Sequence, residues 1–180
     1  MLLNRIKFTM ILSAVLSAIF FLGSAVHAQP APYPNKPVKI VVPLGAGGGT
    51  DIAARLLAAA LTETLGQSFY IENKTGAAGN IGMTYVAQSA ADGYTLLMGN
   101  VSTNAINETI FAKQLKIIPS EDLVPISMVA SIPNLLVSGP NFPPNDLKEL
   151  IAYTKQRPGQ LNFSSPLGGY SHLDMLDFNR

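Results

Sequence analysis

Hydrophobic and polar positions follow two different periods along most of this chain. Residues 38–42 (Val-Lys-Ile-Val-Val) form a short β-branched run, the pattern of a buried strand. Beyond a glycine-rich stretch, Ile52, Ala53, Leu56, Leu57, Ala60, Leu61 and Leu65 recur at helical spacing, and Gly66 stands where such a helix would stop. Residues 68–72 read as a second strand, 80–91 as a helix-compatible stretch, and 94–98 as a third strand after the Asp92-Gly93 turn. Residues 123–129, 135–137 and 161–164 look like further strands. Pro143-Pro144-Asn145-Asp146 starts a helix, with Asn145 or Asp146 as cap, Leu147, Leu150 and Ile151 on one face, and Pro158-Gly159 at its end. A last helix begins at Ser171. Strands separated by loops and helices in this order imply parallel pairing through crossover helices, hence an α/β fold.

The N-terminus has its own pattern. Arg5 and Lys7 precede an apolar stretch over 10–22, and Val26-His27-Ala28 fits the small-x-small site read by signal peptidase. A membrane span needs about 20 apolar residues. This stretch is interrupted by Ser13, Ser17, Gly23 and Ser24. The expectation is export, cleavage after Ala28 and a periplasmic mature chain with no stable membrane insertion.

Composition narrows the chemistry. The chain has no cysteine, so disulfides, thiol catalysis and cysteine zinc sites are excluded. Only His27 and His172 are present, and one mature histidine cannot build a histidine-rich metal site. A net charge of +1, with 13% charged residues, gives no reason to expect nucleic acid as a partner.

The loops between strand ends and helix starts carry the candidate chemistry, because open parallel sheets bind ligands at that edge. In the first loop, Gly45, Gly47, Gly48 and Gly49 allow close backbone approach. The following helix start offers unpaired N–H groups with partial positive charge, suited to an anion such as a carboxylate. Thr50 and Asp51 are candidate caps. A phosphate-binding P-loop is not supported, since no lysine follows Gly48-Gly49. A dinucleotide fingerprint fits Gly45 and Gly47 but finds Thr50 at its third glycine; Glu72 stands where a ribose-binding acid would be sought. A serine hydrolase has no G-x-S-x-G here. His172 reads as a helix-start residue, and Asp174 and Asp177 as solvated faces of the last helix.

Residues 43–55 (Pro-Leu-Gly-Ala-Gly-Gly-Gly-Thr-Asp-Ile-Ala-Ala-Arg) resemble the signature loop of the Bug family, the TctC-like substrate-binding receptors of tripartite tricarboxylate transporters. Residues 72–82 are similar to that family's second loop, 102–107 to its third, and 161–165 with 171–173 to a fourth region. The resemblance implies a two-domain periplasmic-binding-protein fold (type II, Venus flytrap), here truncated: a signal peptide over 1–28, a first α/β domain over 29–132 lacking its returning C-terminal elements, and the start of a second over 133–180. It further implies a small carboxylate ligand, membrane transporter subunits as partners, no cofactor and no catalytic step. Ligand contacts carried over are Gly47, Gly48, Gly49, Thr50, Asp51, Ser102, Thr103, Ser164, Ser165 and Ser171, with Asn80 and Asn104 in second rank. Departures are Leu44 and Ala46 in the first loop, Asn104 in place of histidine, and Pro166-Leu167 in the fourth region. Family members are close to twice as long, so a fragment with weakened binding is expected. An exported enzyme or a receptor feeding a signalling partner would share the same glycine loop.

Overall fold

The computed structural model describes residues 32–166 and 169–179. The expected signal peptide and its cleavage site lie outside the described residues. The chain divides into Met1–Asn35 and Lys36–Arg180, and the second unit carries everything described below.

Strand β1 (Val38–Val42) is the centre of a three-stranded parallel sheet in the order β2-β1-β3, with β2 at Phe69–Asn73 and β3 at Thr95–Leu97. Its two faces are both covered, which explains a nearly continuous apolar run. Val38, Ile40 and Val42 face helix α1 (Gly49–Leu65), against Ala54, Ala58 and Phe69. Each buried Val, Ile or Phe in this cluster contributes about 1.5–3 kcal/mol relative to exposure. On the far side, α2 (Asn80–Ala87) buries Met83.

Helix α1 departs from the expected face. Its buried positions are Asp51, Ala54 and Ala58, while Ile52 and Leu56 are exposed at 53% and 69%. The small alanines let the helix lie close on the sheet, so the larger apolar residues misled the periodicity. Gly66, left-handed at φ 69°, stops the helix as expected. Thr62 then pins the return: its hydroxyl donates to the Ala58 carbonyl (2.7 Å) and accepts from the Phe69 N–H (2.9 Å).

After β3 the chain enters a wide π turn (Ser102–Ile106) that runs into α3 (Asn107–Ile110), followed by α4 (Pro119–Asp122), α5 (Leu147–Lys155) and α6 (Tyr170–Phe178). Asp146 caps α5, accepting from the Glu149 N–H at 2.8 Å, as its sequence predicts. The strands expected over 123–129, 135–137 and 161–164 do not form. These segments have no ladder partner among the described residues, and Val124, Ile126 and Met128 are more than three-quarters exposed. Strand propensity needs a neighbouring strand to be realised.

Candidate ligand-binding site

The order β2-β1-β3 sends the connections on either side of β1 in opposite directions, which opens a crevice beyond the strand ends. Three loops meet there. A Cβ on Gly79 would lie 2.7 Å from Thr103 Cγ2 and 3.4 Å from the Pro43 carbonyl oxygen. The loops after β1, β2 and β3 are therefore in mutual contact at Gly79.

Helix α1 opens on Gly48 with no side-chain cap. Neither of the two candidate caps, Thr50 and Asp51, caps it. The first-turn N–H groups of Gly49, Thr50 and Asp51 have no intrahelical acceptor, and they carry the positive end of the helix dipole. Gly47 is left-handed at φ 81°, a conformation that favours glycine.

Asp51 is 2% exposed and its carboxylate is fully engaged. Oδ2 accepts from Gly47 N–H (2.8 Å) and Arg55 Nε (2.9 Å); Oδ1 accepts from Asn73 Nδ2 (2.8 Å) and Arg55 Nη2 (3.1 Å). The Arg55 guanidinium, then the Gly47 and Asn73 donors, hold the Asp51 carboxyl well below the usual carboxylate range. Asp51 in turn raises Arg55. Gly47 and Asp51, expected as ligand contacts, spend these groups on each other.

In the second loop, Gly76, Ala77, Ala78 and Gly79 all have positive φ (120°, 48°, 56° and 94°). Two alanines in the left-handed region mark local strain. Asn107 is buried, and its amide donates to the Ala78 carbonyl (2.8 Å) and to Asn80 Oδ1 (2.7 Å). Beneath this loop, Glu72 sits between Lys39 Nζ (2.6 Å) and Lys74 Nζ (3.1 Å), which lowers its pKa. That carboxylate is committed to two ammonium groups, so the ribose-binding role sought for it finds no support.

Ser102, Thr103 and Asn104, expected in the third loop, already lie in the helical turn. Asn100 and Thr103 form a reciprocal cap: Asn100 Oδ1 accepts from Thr103 N–H (3.1 Å), and Thr103 Oγ1 accepts from Asn100 N–H (2.9 Å). Thr103 is fully buried, with Asn104 Oδ1 2.9 Å from its hydroxyl. Ser102 instead reaches toward the fourth region, where its Oγ accepts from Tyr170 N–H at 2.9 Å. Ser164 is exposed, Ser171 is partly buried in the first turn of α6, and Ser165 Oγ is buried without a hydrogen-bond partner among the described residues. No hydrogen bond among the described residues joins these three serines to the first loop.

Sequence reasoning missed Arg55, Asn73, Asn100 and Asn107. The Asp51–Arg55 spacing of four on a helix was a readable signal, as was the Asn100-x-x-Thr103 capping pattern. Asn73 and Asn107 gave no local signal, since their partners are distant in sequence.

A parallel sheet with contiguous loops at one edge and an uncapped helix start defines an α/β domain of the periplasmic-binding-protein type, and known proteins of that type match this chain. The family model described as tripartite tricarboxylate transporter family receptor (TctC) matches residues 53–179, and the chain belongs to this family. Protein BugT of Bordetella pertussis is 41% identical over 158 residues, covering 84% of this chain and 47% of the relative. The solved structure of R. palustris Rpa4515 with adipate superposes with a TM-score of 0.78 at 40% identity, over 82% of this chain and 50% of that one. MatC (Rpa3494) from Rhodopseudomonas palustris with bound malate gives 0.71 at 36% identity, over the same shares. The chain spans about half the length of the curated relatives it matches. Among the described residues, no helix is long and apolar enough to cross a membrane.

Proposed function

We propose that this chain supplies the first lobe (29–132) and the beginning of the second (133–180) of a periplasmic receptor that captures a small carboxylate. The receptor hands its ligand to the membrane subunits of a tripartite transporter and performs no catalytic step. The observation that carries this reading is the start of α1, an uncapped helix N-terminus behind a glycine loop. It offers N–H donors and positive potential to an oxyanion. Gly49, Thr50 and Asp51 take the carboxylate through their backbone N–H groups, with Gly48 turning the loop into the helix. Ser102 and Asn80 border the crevice, and Ser164, Ser165 and Ser171 approach from the second lobe. The Asp51 side chain and Thr103 act from behind. Relatives solved with adipate and malate support a dicarboxylate of this size. Cleavage after Ala28 releases the chain into the periplasm.

The test is an NMR titration of residues 29–180 with adipate and, separately, malate at millimolar concentration. Shifts concentrated at the amides of Gly49, Thr50 and Asp51 are expected. Unmoved loop amides, or shifts spread evenly over the surface, would sink the reading.

A further inference from the structure

The first-loop contacts described above tie the loop down at two points. Gly47 N–H bonds to Asp51, and the Leu44 carbonyl accepts from Asn73 Nδ2 at 3.2 Å. Asn73 Oδ1 also accepts from Arg55 Nη2 at 3.0 Å. Thus Asp51 and Arg55 from one turn of α1, and Asn73 from the end of β2, grip both sides of the Gly45-Ala46 tip.

Two consequences follow. The Asp51 carboxylate accepts four hydrogen bonds, which fills its acceptor capacity. It has none left for a ligand donor. A bare aspartate in the first turn would also oppose an incoming anion, whereas Arg55, bonded through two nitrogens, cancels that charge. With Gly47 N–H turned to Asp51 and Gly48 N–H to the Gly45 carbonyl (3.4 Å), the donors left at the helix start belong to Gly49, Thr50 and Asp51.

We propose that Asp51, Arg55 and Asn73 form a neutral clamp that fixes the glycine loop in its carboxylate-accepting shape. The Asp51 side chain is a positioning group in this clamp and does not touch the ligand. This rests on the carboxylate reading of the loop and names the residues that hold its N–H donors in place for an anion. A loop held in advance loses less ordering entropy on binding.

The experiment uses the full chain labelled with 15N-glycine, with adipate as probe. In the unmutated chain, Gly47 N–H should exchange with solvent more slowly than Gly49 N–H. Asp51→Asn should move the Gly47 signal, leave Gly66, Gly139 and Gly159 in place, and weaken adipate binding about tenfold, equivalent to about 1.4 kcal/mol. Arg55→Lys keeps the charge, loses the two-nitrogen grip, and should weaken adipate less than Asp51→Asn does. Should Asp51→Asn unfold the chain, the exchange comparison and Arg55→Lys still decide. Fast exchange at Gly47, or unchanged adipate affinity in both variants, overturns the clamp. If adipate moves no loop signal in the unmutated chain, the carboxylate reading falls and the proposed role of the clamp in anion binding falls with it. Adipate shifts that persist in Asp51→Asn at full strength overturn the clamp alone.

Discussion

The side-chain amide of Asn107 donates to the carbonyl of Ala78 at 2.8 Å, and so secures a loop in which four successive residues have positive φ. A left-handed alanine costs about 1–2 kcal/mol relative to the right-handed form. Glycine at the same position escapes that cost but loses about 0.4–1 kcal/mol through its freer unfolded chain. Ala78→Gly should therefore stabilise the protein by roughly 0.5–1 kcal/mol. Asn107→Ala should destabilise it by about 1–2 kcal/mol, because two hydrogen bonds of a buried amide, to the Ala78 carbonyl and to Asn80, are lost. Urea unfolding midpoints at constant slope measure both.

The contact between the three loops at Gly79 leaves no room for a side chain. Gly79→Ala adds a left-handed penalty of about 1–2 kcal/mol and overpacking of about 1–3 kcal/mol against Thr103. A loss of about 2–4 kcal/mol is expected. Gly139 has open space around it and no positive φ, so Gly139→Ala should change stability by less than about 0.5 kcal/mol. Equal effects of the two substitutions in thermal unfolding would contradict the loop contact.

Acid should destabilise the fold through the same residues that shape the site. Asp51 and Glu72 have pKa values lowered in the folded state by Arg55 and by Lys39, respectively. Their contribution is complete above the unfolded carboxylate values of about 4 and is lost as pH falls toward the folded values. Lys39 is raised, chiefly by Glu72. Its contribution is complete below its unfolded value of about 10.4 and is lost only at higher pH. Stability should be flat between about pH 5 and pH 10 with respect to these groups and fall on the acid side. Asp51→Asn should make that acid limb shallower in a pH series of denaturant melts.

Ser102 is the acceptor for Tyr170 N–H at the start of α6. Ser102→Ala should leave the sheet untouched and loosen this helix start by about 1 kcal/mol, the net value of one hydrogen bond. Hydrogen exchange reads it directly: the Tyr170 amide should lose protection while the amides of β1 keep theirs.

Ile126 and Met128 are 80% and 84% exposed, within a stretch from 123 to 137 that holds no charged residue. Such a segment is an association hazard. Replacing both with lysine should lower self-association in sedimentation velocity without lowering the melting temperature. A fall in melting temperature would show that they pack against something in the folded chain.

The sheet and its loops were legible because their signals are local. Val38–Val42 is apolar at every position but Lys39, Gly66 stops α1, and Asp146 caps α5, each within a few residues of its partner. The strands expected beyond residue 122 were not realised, since a strand is a relation to a neighbour and the sequence shows only one side of it. The site was legible as loops but not as roles. Asp51 reads as a ligand contact until Arg55 and Asn73 are seen around it, and Asn73 is 22 residues away from Asp51. Only the fold brings that distance down to a hydrogen bond.

The central position of β1 also constrains how the molecule assembles itself. Its pairing with β2 closes a loop of 31 residues (Val38 to Phe69), whereas its pairing with β3 spans 56 residues (Lys39 to Thr95). In chain entropy the second closure costs only about 0.5 kcal/mol more, since the length has not quite doubled. In time the difference is larger, because more chain must be in place before β3 can dock. Among the described strands, the first to be made is the one that ends with both edges closed, and its second edge closes only when β3 docks. Until residues 95–97 arrive, its open edge is the place where folding competes with aggregation.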